Sequence, residues 1–406
     1  MGERLHRGRL KNRRVLVSGA GVAGTVLAYW LRRYGFEPTV VERAPGPRGG
    51  GYKIDVRGAA VDVGERMGIM ARVRSASIEM QGASWLDRAG KRVVTMRADF
   101  FEARDARSIE IMRGDLNRIL FDAAGDGVEY VFGDSIVGFS EKANAVEVDF
   151  ARGGRREFDL VVGADGVHSA VRALAFGDES RFVDDLGGYY VATFSAPNRM
   201  KLDRWDLFYL LRGRTLNVSS IREDVDARVV LLFAAPGDAG GGGDPKSVVA
   251  GILGQVAWAA PTMLEAMREA PDFYFDAVSQ VRMDRWSNGR AVLIGDAGYA
   301  PSLASGQGTT LAMVGAYVLA GELKAAGGDH AMAFPRYEQR MRDFVEKNQK
   351  LGRDGIKAMV LRAQWQIWLM MLFLRMLPYM PWKELVSRHL KRVVDRVASS
   401  IVLEEY

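Results

Sequence analysis

Residues 14–24 read R-V-L-V-S-G-A-G-V-A-G, and residues 39–42 read T-V-V-E. The apolar run before Gly19 predicts a buried strand, and apolar residues at helical spacing from Thr25 to Tyr34 predict a helix. Residues 39–41 predict a second strand, which Glu42 ends. A strand, a glycine turn, a helix and a strand, with an acid about 20 residues beyond the turn, are typical of a dinucleotide site. We therefore expect a Rossmann-like α/β fold.

Each glycine of this turn has a physical purpose. Gly19 permits the tight turn, Gly21 lets a pyrophosphate approach the backbone beside Val22 and Ala23, and Gly24 lets the helix and the strand pack closely. The anion would meet free N–H groups at the helix N-terminus, where the dipole favours negative charge. We expect Glu42 to accept hydrogen bonds from an adenosine ribose. The alternative is a glycine turn that binds no ligand.

Two further glycine-bearing segments each follow an apolar strand. Residues 163–172 read G-A-D-G-V-H-S-A-V-R, and residues 295–308 read G-D-A-G-Y-A-P-S-L-A-S-G-Q-G. Together with the first segment, their order and separation resemble the single-component FAD-dependent monooxygenases of para-hydroxybenzoate hydroxylase fold. The resemblance implies bound FAD, NAD(P)H as the electron donor, and transfer of one oxygen atom from molecular oxygen to substrate through a flavin C4a-hydroperoxide.

The resemblance also implies the roles of individual residues. In the second segment the aspartate and Arg172 are associated with flavin and pyridine nucleotide, and in the third the aspartate binds the ribityl chain. Backbone of the glycine loop would face the flavin ring. These expected cofactor contacts are Asp165, Gly166, Asp296, Pro301, Gly306, Gln307 and Gly308. A structural role for each motif is the alternative, and His168 is interpreted as incidental.

Residues 111–120, I-M-R-G-D-L-N-R-I-L, resemble another family motif, in which Arg113 would reach the ribityl and phosphate region. An ion pair of Arg113 with Asp115 or Glu110 is the alternative. The stretch after Glu42 resembles the tetracycline-inactivating branch of the family.

In that branch Arg43 belongs to an E-R pair, Arg48 matches an arginine near the nicotinamide cofactor, and Asp55 matches an aspartate near the flavin. A solvated loop charge and a surface carboxylate are the alternatives for Arg48 and Asp55. Tyr299 departs from the family, because many members carry a histidine there.

The composition excludes several other functions. The chain of 406 residues has no cysteine, four scattered histidines and a net charge of +6. Disulfides and metal–thiolate sites are therefore excluded, and a cytoplasmic location is the simplest expectation. The basic residues 1–14 precede a core strand and lack the apolar region of a secretory signal. The basic residues form no stripe with aromatic platforms, so we expect no nucleic-acid partner.

The motifs predict a discontinuous FAD-binding domain at residues 1–75, 100–178 and 275–330. Strand-like stretches at 188–195, 206–211, 215–221 and 228–233 predict a β-sheet substrate domain at 76–99 and 179–274, with a mobile loop at 239–244. Tyr190, Tyr209 and Arg212 are candidates for its pocket, with packing as the alternative. Residues 331–406 would form C-terminal helices, the first at 335–361 and broken near Gly352 and Gly355.

The apolar stretch 365–382 has two interpretations. It is too short for a membrane span, which takes about 20 residues. We favour a buried helix that bridges the lobes and closes the substrate cavity. The alternative is an interfacial membrane contact, with Trp and Met in the lipid surface and basic residues beside them.

The resulting prediction is an FAD-dependent, NAD(P)H-consuming monooxygenase that hydroxylates a hydrophobic aromatic or polycyclic small molecule, in natural-product biosynthesis or antibiotic modification. The alternatives are a flavin-dependent reductase or dehydrogenase of an isoprenoid-like or polyketide substrate, and a non-catalytic FAD-binding paralogue. The sequence names neither the substrate nor the oligomeric state.

Overall fold

Residues 10–47, 49, 51–97, 107–235, 244–256, 260–381 and 393–406 are described by the structure, a computed structural model. Three predictions lie partly or wholly outside these residues. They concern Arg48, most of the loop at 239–244, and residues 382–392 of the predicted C-terminal helices.

One centre of the fold is a six-stranded sheet with the strand order β19-β20-β11-β1-β2-β7. Only β19 at its edge is antiparallel to its neighbour. The inner strands are buried along almost their whole length, as expected for a sheet that is covered on both faces. Its strands are β1 (Arg14–Ser18), β2 (Glu37–Glu42), β7 (Glu129–Phe132), β11 (Leu160–Gly163), β19 (Ser287–Asn288) and β20 (Ala291–Leu293).

Helices cover this sheet and fill the large core. The predicted first helix is α1 (Val22–Arg33), and it begins directly after the glycine turn. The other helices of this part are α2 (Ala59–Arg66), α3 (Met70–Ser75), α4 (Arg113–Ala124) and α5 (Ala170–Phe176). Small sheets lie beside them: β3 (Lys53–Val56) pairs with β6 (Ile109–Met112), and β8 (Ile136–Glu141), β9 (Val146–Phe150) and β10 (Gly154–Phe158) form a three-stranded sheet.

A second, seven-stranded sheet has the order β17-β13-β16-β15-β14-β4-β5. The four predicted strands are present within a residue of their expected bounds. Its strands are β4 (Gly82–Leu86), β5 (Arg92–Arg97), β13 (Tyr189–Ala196), β14 (Trp205–Leu211), β15 (Arg214–Ser220), β16 (Ala227–Ala234) and β17 (Tyr274–Ala277). Helices α6 (Pro245–Leu253) and α7 (Ala260–Glu269) pack on one face of this sheet. The short strands β12 (Val183–Asp184) and β18 (Gln280–Val281) pair with each other.

The chain returns to the six-stranded sheet through β19 and β20, and α8 (Asp296–Tyr299) and α9 (Gly308–Ala325) follow these strands. The long helix α10 (His330–Met359) is continuous, so the predicted break near Gly352 and Gly355 is wrong. These glycines permit close packing: a Cβ at Gly352 would lie 2.0 Å from the carbonyl oxygen of Pro301, and one at Gly355 would lie 2.5 Å from that of Ala304.

The apolar stretch near the C-terminus forms α11 (Gln364–Met376), followed by a short 3₁₀ turn at Leu377–Tyr379. Only Ile367 and Leu374 of this helix are buried. Trp365 and Trp368 are 66% and 65% exposed, so the expectation of a buried helix is wrong. No helix within the described ranges is both long enough and apolar enough to cross a membrane.

Candidate functional site

A cavity of about 820 Å³ lies between the six-stranded sheet and one face of the seven-stranded sheet. Its first wall is the carboxyl edge of the parallel strands. Gly19 follows β1, Glu42 ends β2, Ala164 follows β11 and Asp296 follows β20, and all four line the cavity. This edge is where open α/β sheets bind ligands.

The N-terminus of α1 forms one end of this wall. Gly21 is its N-cap, no side chain caps the helix, and its first turn carries no acid. Gly21, Val22 and Ala23 line the cavity. Gly24 does not, because it packs so tightly that a Cβ there would lie 1.9 Å from the carbonyl oxygen of Gly19. The helix therefore presents free N–H groups to an anion.

Glu42 is buried, and its carboxylate ties neighbouring loops together. One oxygen accepts the Ala20 N–H at 2.9 Å, and the other accepts the Ala44 N–H at 2.9 Å. Its side chain still lines the cavity, next to the exposed Arg43. Asp55 lines the cavity too. One of its oxygens pairs with Arg57, and the other is buried without a hydrogen bond.

Asp296 presents its carboxylate to the cavity from a deep position, open to the cavity but surrounded by protein. Desolvation there raises the pKa of Asp296, and the charge of Arg113 opposes the increase. Arg113 is the first residue of α4, and its guanidinium lies 5.8 Å from the ring centre of Tyr52. Asp115, the partner considered for Arg113, pairs instead with Arg118 at 2.6 Å.

Asn117 is a cavity residue that was not predicted from the sequence. It lies one turn after Arg113 on α4, is 6% exposed, and lines the cavity. Its side-chain oxygen is buried without a hydrogen-bond partner. The signal that could have identified it is the spacing of four residues, which puts both side chains on one helix face.

The loop before α9 supplies the opposite end of the wall. Pro301, Gly306 and Gly308 line the cavity, and Gly306 has the left-handed conformation that favours glycine. Gln307 does not line it. Its side chain is fully buried, and neither amide atom has a hydrogen bond.

The second motif contributes Asp165 and Gly166 to the cavity wall. The Asp165 carboxylate accepts hydrogen bonds from the Ser169 hydroxyl and from the Ala170 N–H at 2.9 Å, so it also holds the start of α5. Burial raises the pKa of Asp165.

Arg172, expected near the cofactor, is fully buried and does not line the cavity. It donates to the carbonyl oxygens of Val167 and Ala297, the latter at 2.9 Å. It thus joins the second motif to the third, directly beside Asp296.

His168, interpreted as incidental, lines the cavity rim and has two carboxylate partners. Its Nδ1 lies 2.7 Å from Glu179 Oε1, and its Nε2 lies 3.0 Å from Asp276 Oδ2. Desolvation lowers the pKa of His168, but the hydrogen bonds and charges of the two carboxylates outweigh it and raise the pKa overall. Asp276 is on β17, so this cluster joins the two sheets.

The second cavity wall is one face of the seven-stranded sheet. Its side chains alternate with those that pack on α6 and α7. Lining residues on this face are Val191, Thr193, Ser195, Asn217, Ser219, Arg228 and Val230. The Thr193 hydroxyl has no hydrogen-bond partner in the part of the chain that the structure describes.

The three pocket candidates on this sheet are not cavity residues. Tyr190 and Tyr209 belong to the core on the opposite face, where Tyr190 stacks on Phe233. Arg212 donates to the carbonyl oxygen of Arg362 at 3.2 Å. For the tyrosines, the packing alternative is the correct one.

Tyr299, the departure from the family motif, points away from the cavity. It is fully buried, and its hydroxyl lies 2.9 Å from that of Tyr337. The Tyr337 hydroxyl donates to the carbonyl oxygen of Leu293 at 3.0 Å. This position therefore anchors α10 to the parallel sheet.

A family model described as "FAD binding domain" matches residues 12–350. The chain belongs to this family. A flavin-dependent monooxygenase of Legionella longbeachae serogroup 1 (strain NSW150) is 39% identical over 345 residues, which are 84% of this chain and 88% of that relative. An uncharacterized protein of Mycobacterium tuberculosis (strain ATCC 25618 / H37Rv) is 45% identical over 347 residues, which are 84% of this chain and 93% of that relative.

Among solved structures, the tetracycline destructase Tet(55) superposes with a TM-score of 0.84 at 33% identity, over 98% of this chain and 99% of that one. The protein is an FAD-dependent monooxygenase of the para-hydroxybenzoate hydroxylase fold, as the three motifs predicted. The α/β fold class and the FAD cofactor are likewise confirmed.

The cavity suits FAD on three observations of this structure. The uncapped start of α1 would offer N–H groups to the pyrophosphate. The Asp296 carboxylate, which has no hydrogen-bond partner among the described residues, would accept hydrogen bonds from ribityl hydroxyls. The orphaned Asn117 oxygen, buried at the wall, would gain a donor from a bound ligand. The family assignment and the geometry therefore agree.

Proposed function

We propose that this FAD-dependent monooxygenase consumes NAD(P)H and hydroxylates an aromatic or polycyclic small molecule. The observation that carries the proposal is a cavity that continues from the motif-lined sheet edge to the face of the seven-stranded sheet. Its volume of about 820 Å³ is at the upper end of the roughly 300–1,000 Å³ typical of ligand sites. A cofactor and a substrate would share it.

In this proposal the sheet edge holds FAD, which supplies the redox and oxygen chemistry. The start of α1 binds the pyrophosphate, and Glu42 with Arg43 lies at the adenosine end. Asp296, Arg113 and Asn117 bind the ribityl chain. The lining residues Asp55, Asp165, Gly166, Pro301, Gly306 and Gly308 surround the flavin, while Gly24 and Gln307 support the wall from behind.

The start of α9 would favour negative charge on the ring system of the reduced cofactor. Its N-cap, Gln307, makes no side-chain hydrogen bond to the helix, and its first turn carries no acid. The free N–H groups and the dipole therefore stabilise an anion at this position. This stabilisation by the helix N-terminus requires no catalytic base.

NAD(P)H is proposed as a transient donor. The chain has one strand–glycine turn–helix fingerprint for a dinucleotide, at residues 14–42. A second nucleotide would therefore approach FAD through the cavity rather than at a separate Rossmann site.

The sheet face proposed for the substrate is mixed in character. Val191 and Val230 offer apolar contact, while Thr193, Asn217 and Ser219 offer hydrogen bonds. The unpaired hydroxyl of Thr193 favours a substrate with polar substituents on an apolar frame. A polyketide-like or antibiotic-like molecule fits this description. The structural relative Tet(55) is a tetracycline destructase, which supports the same class.

The test is a panel of aromatic polyketides, with tetracycline among them, assayed together for NADPH oxidation, oxygen uptake and product mass. The proposal predicts substrate-dependent loss of NADPH and oxygen, with one oxygen atom added to the product. NADH in place of NADPH identifies the preferred donor.

Two outcomes would contradict the proposal and favour another function. Turnover that continues without oxygen would indicate a reductase or dehydrogenase. Ligand binding to the FAD-loaded protein without NADPH oxidation would indicate a non-catalytic paralogue.

Thr193→Val offers a matched variant, because it keeps the shape of the side chain and removes the hydroxyl. We expect it to raise KM for a polar substrate more than it lowers kcat.

A cytoplasmic location is part of this proposal, in keeping with a chain that has no cysteine. The assignment of residues 76–99 and 179–274 to the substrate also stays a proposal. The oligomeric state is left to measurement.

A further inference from the structure

Helix α11 is apolar on both of its faces, yet only one face is covered. Ile367 and Leu374 are buried, and Leu374 packs on Val94 and Met96 of strand β5. The opposite face carries large apolar side chains that are between 37% and 66% exposed. These form the outer stripe: Trp365, Trp368, Leu369, Leu372, Phe373 and Met376.

The outer stripe is continuous. Its members follow one another at spacings of three, one, three, one and three residues, which puts them on a single side of an α-helix. Tyr379, 87% exposed, follows just beyond the helix. A helix that is apolar all round is normally buried on all sides. A contiguous exposed apolar surface of this kind marks an interaction site.

The distribution of charge around the stripe indicates the partner. From Gly355 to Pro381 the sequence has no acidic residue, but it has Lys357, Arg362 and Arg375. Lys357 and Arg375 are exposed and have no ion-pair partner among the described residues. An exposed cation on the same helix as an apolar stripe, here Arg375, matches the anionic headgroups and acyl chains of a lipid surface.

The aromatic residues also favour a lipid surface. Tryptophan lies at the start of the stripe and Tyr379 just beyond its end, with leucine, phenylalanine and methionine between. Tryptophan and tyrosine are enriched at the boundary between lipid and water, where their rings contact both. We propose that the outer stripe docks this monooxygenase on an anionic lipid surface, with α11 lying in the interface.

The position of α11 connects this surface to the substrate side of the cavity. Directly paired residues on neighbouring strands share one sheet face. One such row crosses five strands: Val94, Trp85, Phe208, Asn217 and Val230. Asn217 and Val230 line the cavity, whereas Val94 contacts α11. The docked lipid would therefore lie on the same side of the sheet as the cavity, an arrangement suited to a lipid-soluble substrate.

The test is flotation of the FAD-loaded protein with vesicles of phosphatidylcholine and phosphatidylglycerol, and with vesicles of phosphatidylcholine alone. We expect binding to the mixed vesicles, weaker binding to phosphatidylcholine, and release by salt, which screens the headgroup charges. The variant Trp365→Gln/Trp368→Gln should bind about ten-fold more weakly or worse, because two large apolar side chains no longer enter the lipid. Its flavin content should not change, because both side chains are exposed.

The matched control is Val137→Gln/Leu174→Gln, which removes two apolar side chains that are 56% and 43% exposed outside the stripe. It should bind vesicles like the unmodified protein. Equal vesicle binding by the tryptophan variant, or no binding by the unmodified protein, would overturn the proposal. So would a dimer that the tryptophan substitutions convert to a monomer while vesicles stay unbound, since a second copy of the chain would then cover the stripe.

Discussion

At the residue scale, the role in FAD binding that we propose for Asp296 carries a cost to the stability of the protein without FAD. Burial raises its pKa above the ordinary value, so its ionised form is less favourable in the folded protein than in the unfolded chain. The stability that this group contributes is complete below its unfolded pKa and is lost as the pH rises through the higher folded pKa. FAD would restore favourable partners by donating ribityl hydroxyls to the carboxylate.

Asp296→Asn should therefore have two opposite effects. Without FAD, the variant should unfold at a higher temperature than the unmodified protein at neutral pH, because its neutral amide avoids the desolvation that raises the pKa of Asp296. Its affinity for FAD should fall by about ten-fold to a hundred-fold, the usual effect of losing a hydrogen bond to a charged group. Thermal unfolding of the FAD-free protein and a fluorescence titration with FAD measure the two effects. Unchanged FAD affinity would contradict the assigned role.

His168 gives a prediction of the opposite kind, because its partners favour the charged form. Its raised pKa means that its contribution to stability is complete below the ordinary value of 6.5 and is lost as the pH rises through the folded pKa. His168→Gln should therefore lower the unfolding midpoint in mildly acidic buffer and change it little in alkaline buffer. Denaturant unfolding at both pH values measures this.

His330 provides the control for this experiment. Burial and the charge of Arg290 lower the pKa of His330, so its contribution to stability is lost as the pH falls. His330→Gln should thus destabilise the protein mainly in alkaline buffer. The same pH dependence for both variants would contradict the account of the His168 cluster.

At the element scale, two glycines of the segment that joins β1 to α1 differ in their effects. One is needed for folding, and the other lies at the proposed ligand site. A Cβ at Gly21 would meet nothing within 4 Å, whereas a Cβ at Gly24 would lie 1.9 Å from a backbone oxygen. Gly21 also has φ −76°, which any residue can adopt. The two glycines therefore predict different consequences for the same substitution.

Gly21→Ala should fold with nearly unchanged stability and bind FAD more weakly, since the added methyl group occupies the cavity wall at the helix N-terminus. Gly24→Ala should be destabilised by about 1–3 kcal/mol or fail to fold, because α1 can no longer approach β1. Chemical denaturation and FAD titration of both proteins measure these effects. Full FAD affinity in Gly21→Ala would contradict the proposed pyrophosphate position.

The parallel sheet and its glycine turns could be predicted from the sequence because their signals are local: apolar runs, turn glycines and helical spacing. The antiparallel strands of residues 189–234 were predictable for the same reason. The face of that sheet that lines the cavity could not be predicted, because it depends on pairing between distant strands, such as β4 with β14. The sequence therefore left two roles open for Tyr190 and Tyr209, the pocket and the packed face, and the structure shows the packed face.

Contacts between distant residues account for the other differences. Nothing in the sequence around His168 indicates that its hydrogen-bond partner is Asp276, which lies 108 residues further along the chain. Arg172 was expected at the cofactor, but it meets the carbonyl group of Ala297 instead. The apolar composition of α11 predicted a buried helix, because helices that are apolar on all sides are usually buried. In the structure only one face of α11 is buried.

At the scale of the whole molecule, the site depends on several parts of the chain meeting at one sheet edge. Register pairs bring Ser18 opposite both Val41 and Gly163, and Gly163 opposite Leu293. Arg172 then braces the second motif against the third. The seven-stranded sheet closes the cavity from the other side, and the cluster around His168 joins the two walls at the rim.

The most direct measurement of this arrangement is the absorbance spectrum of the purified protein after saturation with FAD and gel filtration. The account predicts a bound flavin spectrum that corresponds to one FAD per chain, and a lower flavin content for both Asp296→Asn and Gly21→Ala. A folded protein that stays colourless after incubation with excess FAD would contradict it.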